Sequence, residues 1–241
     1  MFALVLFGTS TVARKLLPVS EAFASLPGLL AALAALVFAV ILESRFSNVS
    51  LGQALRSLGF KSGKTNQYLI ALAGTLPILG AYLIVIFLLG KSAAFETGAL
   101  FLLLKLTISQ GLIEEAVFRG LLFRHLRANN SFWTAATLSG ILFALIHVVN
   151  LAKGVSPEIL RSLGISIGFG FILTFPLAIL FELGAGSLFA GAIFHLAIDS
   201  INCFKEVGEP GLPMNIYLAS VLLSAIVVVA LALMSKALTT D

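Results

Sequence analysis

Glu114-Glu115-Ala116-Val117-Phe118-Arg119 closes an apolar run that begins near Thr97, and two further motifs lie inside runs of the same kind: Phe143-Ala144-Leu145-Ile146-His147 and His195-Leu196-Ala197-Ile198-Asp199. How these three stretches are read decides the fold. At membrane depth an ionisable side chain costs on the order of 2.5–3.5 kcal/mol even on the lenient insertion scale. Carboxylates, imidazoles and a guanidinium placed there therefore need one another or a watery cavity, which makes them the candidate functional residues.

Composition settles the surroundings. The chain has 241 residues, of which 59% are hydrophobic and 11% charged, and its mean hydropathy is +1.09. A soluble domain carries about 25% charged residues, so this is an integral membrane protein. Helical spans follow from apolar runs compared with the roughly 20 residues needed to cross the hydrocarbon. Ala22–Leu42, Thr65–Gly90, Ala128–Leu151, Ser162–Phe181 and Pro210–Ser235 reach that length. Thr97–Phe118 and Leu183–Cys203 reach it only with ionisable residues inside, Lys105 and the two glutamates in one, His195 and Asp199 in the other. The expected fold is all-α, a polytopic membrane bundle of seven transmembrane helices, eight if Met1–Val12 also crosses. Arg14 and Lys15 follow that first run rather than precede it, the reverse of a cleaved signal peptide, so an interfacial or partial helix is expected there.

No linker, low-complexity tract or internal repeat divides residues 1–241, so a single domain is expected. The single Cys203 excludes an internal disulfide and a CxxC pair and reads as a small packing residue. A net charge of +4 would suggest nucleic acid in a soluble protein, but here the basic residues fall in connecting loops, and no nucleic-acid partner is implied. Their asymmetry sets orientation. With the loop Glu43–Lys64 cytoplasmic, that side receives Arg45, Arg56, Lys61, Lys64, Arg119, Arg124, Arg127 and Lys236, and the other receives Lys91, Lys153, Arg161 and Lys205. The C-terminus is then cytoplasmic, in a multi-pass cell-membrane protein.

On a helix, residues four apart share a face, so Glu115 pairs with Arg119 in the favourable acid-before-base order, while Glu114 points about 100° away around the axis. One glutamate is neutralised and the other left free. Taken alone, this cluster also reads as the charged cytoplasmic end of a span, and His147 as an interfacial residue. His125, between Arg124 and Leu126, reads as a solvated loop residue. His195 and Asp199 are one turn apart in a segment rich in small residues, Gly184 to Ala192, which let neighbouring helix backbones approach closely.

Together the three clusters resemble the CPBP family, the CAAX proteases and bacteriocin-processing proteins, also called the ABI family and related to type II CAAX prenyl endopeptidases. Its motifs EExxxR, FxxxH and HxxxN or HxxxD occur here in order, over roughly Ala99–Phe204, while the flanking helices contribute only hydrophobicity. The resemblance implies an intramembrane glutamate-dependent endopeptidase whose site opens to the cytoplasm. It places Glu114 as the catalytic glutamate and His147 as the histidine that helps it activate water. His195 and the residue at 199 match the pair that stabilises the oxyanion, and Glu115 and Arg119 match supporting residues. Asp199 departs from the asparagine of the prenyl-processing members. The implied partner is a membrane-associated protein or peptide, prenylated or not, and no cofactor is expected.

Peptide hydrolysis needs a base for water, donors for the tetrahedral oxyanion and a proton for the leaving amine, which Glu114, His147 and His195 supply. No G-x-S-x-G elbow or H-E-x-x-H pair is present. Three alternatives remain open on sequence. Glu114, His147 and His195 amount to a His₂Glu set that would serve catalytic zinc. The clusters would also suit a buried polar network in a non-catalytic immunity or interaction protein, or a proton relay in a transporter.

Overall fold

The computed structural model describes residues 26–88, 90, 93–95, 104–148, 151, 154–200, 204–206 and 213–235. Met1–Val12, Arg14, Lys15, Lys91, Lys153, Cys203 and Lys236, and with them the eighth span, the packing role of the thiol and part of the charge asymmetry, lie outside the described residues. Among the described residues there are eight helices: α1 (Leu26–Phe46), α2 (Leu51–Ser57), α3 (Thr65–Leu83), α4 (a continuous run over 104–127), α5 (Phe132–Ile146), α6 (Pro157–Leu183), α7 (Phe189–Asp199) and α8 (Met214–Met234). Two short strands, β1 (Ala93–Phe95) and β2 (Phe204–Glu206), pair antiparallel with Phe95 opposite Phe204.

Four helices are long and apolar enough to cross a bilayer, Leu29–Phe46, Thr65–Leu88, Pro157–Leu183 and Met214–Met234, which makes this a multi-pass membrane protein by length and composition. Their outer faces suit lipid. On α3 the exposed leucines Leu69, Leu72, Leu76, Leu79 and Leu83 recur every three or four residues, forming one apolar stripe.

The runs Ala128–Leu151 and Leu183–Cys203 are built shorter than their apolar length. α5 starts at Phe132, where the Ser131 hydroxyl accepts from the Thr134 N–H and caps the helix. α7 starts at Phe189, after a turn whose Ala185 and Gly186 have φ of 53° and 82°, a left-handed conformation that stops α6. Helices of 15 and 11 residues extend about 22 and 16 Å, short of the roughly 30 Å hydrocarbon core.

Helix ends are gathered by close backbone contacts. The Gly59 carbonyl accepts from the Leu188 N–H at 3.1 Å, tying the loop after α2 to the start of α7. On the other side of that loop, Gly120 of α4 lies so close to the Leu58 carbonyl that a Cβ would overlap it. Phe123 of α4 packs edge-on against Phe132 of α5 and Phe181 of α6. The C-terminal ends of α1, α4 and α6 and the N-terminal ends of α3, α5 and α7 therefore share one end of the bundle. Since α5 and α7 start there and are short, the residues closing them, His147 and Asp199, lie within the depth of a bilayer.

Two buried clusters hold the bundle. One joins the second half of α6 (Leu173, Leu177, Ile179, Leu180) to Phe194 of α7 and Val221 and Val228 of α8. The other joins the alanine seam of α1, Ala32, Ala35 and Ala39, to Ile113, Ala116 and Val117 of α4. Alanines along a seam let two backbones approach, as small residues do between membrane helices. The site lies between these clusters.

Candidate active site

α4 carries the first motif and departs from the α-helix its spacing implies. Thr107–Glu114 and Ala116–Phe123 are in π form, with backbone bonds spanning five residues instead of four, a form that recurs at functional sites. The i,i+4 contact survives this widening. Glu115 Oε1 lies 3.2 Å from Arg119 Nη1, and the two side chains are 1% and 0% exposed.

A buried ion pair is tolerable only if the remaining polar atoms are used. Arg119 Nη2 donates to Thr174 Oγ1 of α6 at 3.3 Å, and that hydroxyl donates in turn to the Gly170 carbonyl at 3.2 Å. The guanidinium carbon stands 4.9 Å over the Phe143 ring, a cation–π contact. On its far side Glu115 Oε1 accepts from His195 Nδ1–H of α7 at 2.9 Å. Gly191, one turn earlier on α7, clears room for this, since a Cβ there would sit 3.3 Å from Glu115 Oε2.

With Nδ1 committed to Glu115, the other nitrogen of His195 turns to Asp199, its Nε2 lying 3.5 Å from Oδ2 one turn on. Asp199 is 20% exposed. Tyrosines from two long helices flank it. The Tyr217 hydroxyl of α8 donates to the Ile198 carbonyl at 3.4 Å, and the Tyr82 hydroxyl of α3 lies 3.4 Å from Ser200 Oγ.

His147 follows the last residue of α5, its Nδ1 lying 3.2 Å from the Phe143 carbonyl oxygen. Phe143 stands edge-on to both His147 and His195, with centroids at 5.6 and 6.1 Å. Gly170 of α6 makes space for this corner, since a Cβ there would lie 3.4 Å from His147 Cε1. Glu114 is half-buried. Its carboxylate interacts electrostatically with His195, Asp199, Glu115 and Arg119, yet among the described residues it makes no hydrogen bond or ion pair. His147 likewise interacts electrostatically with His195 and Asp199.

The structure thus gathers Glu114, Glu115, Arg119, His147, His195 and Asp199 from three helices into one neighbourhood. Glu115, not Asp199, makes the shorter contact to His195. Among the described residues no three His, Cys, Asp or Glu side chains form a cluster that could hold a metal ion, so Glu114, His147 and His195 do not meet as a chelating set.

Several residues that build this arrangement were not singled out by sequence reasoning. Phe143 entered only as a motif letter, although its ring touches Arg119 and both histidines. Thr174 gave one signal, a hydroxyl in an otherwise apolar run. Glu43, expected to open a cytoplasmic loop, lies instead in the last turns of α1 and is fully buried. Its Oε2 is 2.6 Å from Arg124 Nη2 and 3.6 Å from His125 Nε2, and its Oε1 accepts from Ser47 and Ser57 at 2.8 and 3.0 Å. Arg124, His125 and Arg127 belong to the closing helical turn of α4 rather than a loop, and Arg127 pairs with Glu182 at 2.7 Å. The flanking helix α1 therefore contributes a buried charge and not hydrophobicity alone.

Residues 96–201 match the family model described as type II CAAX prenyl endopeptidase Rce1-like. The matched segment, somewhat less than half the chain, nearly coincides with the stretch bounded by the three motifs. It is an Rce1-like domain, and the resemblance read from EExxxR, FxxxH and HxxxD is borne out. No curated protein matches the chain.

Proposed function

We propose that this domain makes the chain an intramembrane endopeptidase that uses Glu114 as its base and cleaves a membrane-associated protein or peptide. One observation carries the assignment. Of the two adjacent glutamates, Glu115 is consumed by Arg119 and His195, which leaves Glu114, without a hydrogen bond or ion pair among the described residues, as the carboxylate with acceptor capacity to spare in the electrostatic neighbourhood of His195 and Asp199.

In this mechanism Glu114 takes a proton from a water molecule as that water attacks the scissile carbonyl, with His147 holding the water on the opposite side. His195 Nε2–H, which lies 3.5 Å from Asp199 Oδ2 before substrate enters, turns its hydrogen to the oxyanion as that charge forms. Asp199 orients the ring and, while ionised, stabilises its charged form. The proton on Glu114 then passes to the leaving amine, so the carboxylate is regenerated and water is the only reagent consumed. Glu115 and Arg119 take no proton and hold His195 from behind. Removing one oxyanion donor costs about 10²–10³ in rate in other acyl-transfer enzymes, which sets the scale for His195.

Orientation follows from the lysines and arginines. The end of the bundle bearing Arg45, Arg56, Lys61, Lys64, Arg124 and Arg127 is the cytoplasmic one by the positive-inside rule, and α8, whose first turns lie at the far end beside Ile198, runs toward it. His195 comes seven residues after Leu188, about 10 Å into the bundle from that end. The scissile bond is then reached a short way below the cytoplasmic face. The test is a cleavage screen of purified protein in liposomes, read by mass spectrometry and comparing the native chain with Glu114→Gln. Products from the native chain alone are expected. Equal cleavage by the variant would remove Glu114 as the base, and no cleavage of any membrane-linked peptide would favour a non-catalytic interaction protein.

A further inference from the structure

Glu43 lies outside the residues that match the family model, yet a run of polar contacts, carried over one step by the backbone between Gly120 and Arg119, joins it to His195. Glu43 Oε2 meets Arg124 Nη2 at 2.6 Å. The same guanidinium donates from Nε to the Gly120 carbonyl at 2.9 Å. Gly120 adjoins Arg119, which pairs with Glu115 at 3.2 Å, and Glu115 accepts from His195 at 2.9 Å. Ser57 of α2 donates to the other oxygen of Glu43 at 3.0 Å, so one buried carboxylate joins α1, α2 and α4.

Stability alone does not explain a fully buried charge at this position. Replacing a buried ion pair by well-packed apolar side chains is often neutral or stabilising, and the best-attested use of such a pair is to fix register. Register is what α4 needs. Its π form lacks the usual i→i+4 ladder over most of its length, and the Gly120 seat on Leu58 has no side chain of its own to grip. Sliding or rotating α4 by one residue would break the Arg124–Glu43 contact and carry Glu115 away from His195.

We propose that Glu43 is a positioning residue for the site, a carboxylate on α1 that sets α4 through Arg124 and thereby holds Glu115 against His195. It touches no reacting atom. The positioning itself is independent of the chemistry, and only the kinetic arm of its test rests on the peptidase reading.

The experiment uses the full chain in detergent, labelled with ¹⁵N-histidine. The sequence has three histidines, His125, His147 and His195, so their ring resonances are assignable by single His→Gln variants. Glu43→Gln is expected to shift the His195 resonance as well as that of neighbouring His125. Arg124→Gln should reproduce the His195 shift, and the double variant should move it no further than either alone. Glu182→Gln, which breaks the Arg127 pair at the same end of the bundle, should leave His195 in place.

A His195 resonance unmoved in both Glu43→Gln and Arg124→Gln overturns the proposal, and so does an equal shift from Glu182→Gln, which would mean general loosening. Should Glu43→Gln fail to fold, Arg124→Gln decides alone. In the kinetic arm, Glu43→Gln should lower kcat about tenfold with KM little changed, since displacing a catalytic group costs chemistry more than binding. If the native chain shows no turnover, the peptidase reading fails and the resonance shifts still decide the positioning role.

Discussion

Replacing Arg119 by alanine leaves the Glu115 carboxylate at 1% exposure without its guanidinium. Breaking a buried pair by removing one partner costs roughly 3–5 kcal/mol, because an uncompensated charge stays behind. His195 still donates to Glu115 at 2.9 Å and relieves part of that, while the lost bond to Thr174 adds about 1 kcal/mol. A net loss of about 3–4 kcal/mol, at roughly 2–4 °C per kcal/mol for a chain of this size, lowers Tm on the order of 10 °C. The assay is thermal unfolding in detergent followed by Trp133, the chain's single tryptophan, which packs on Phe175 beside Thr174. Arg127→Ala is the control. Its pair with Glu182 is 32% and 27% exposed, where an ion pair contributes about 0–1 kcal/mol. Arg119→Met combined with Glu115→Gln should recover most of the Tm, because no charge is left buried, without recovering turnover. If Arg119→Ala melts no lower than Arg127→Ala, the pair is hydrated and the argument from burial is wrong.

Asp199→Asn should retain measurable turnover and Asp199→Ala much less, because the amide keeps a hydrogen-bonding group beside His195 and offers a donor that a carboxylate lacks; initial rates against one substrate check this. Gly120→Ala should lower Tm by several degrees, since its Cβ overlaps the Leu58 backbone and overpacking costs about 1–3 kcal/mol, whereas Gly52→Ala, with open space around it, should not. Phenanthroline should leave cleavage unchanged, and loss of activity restored by added zinc would return Glu114, His147 and His195 to consideration as ligands.

The helix lengths show where one-dimensional reading stops. Apolar runs mark where a chain is able to cross a bilayer, and α1, α3, α6 and α8 follow them. They do not mark where a helix starts, which hydrogen bonds decide locally. Ser131 and the left-handed turn at Ala185–Gly186 shorten α5 and α7, and this places His147 and Asp199 at depth instead of at a surface.

The sequence by itself determined the membrane setting, the helical class, the family of the central segment and the pairing of residues four apart, Glu115 with Arg119 and His195 with Asp199. These depend on composition and on helical repeat, which are local. Only the tertiary structure decided that Glu115 joins Arg119 to His195 across 80 residues of chain, that the Phe143 ring stands against both histidines, and that Glu43 reaches Arg124. Contacts between helices depend on axial register and on which glycines let backbones close, and no periodicity along a single helix encodes them.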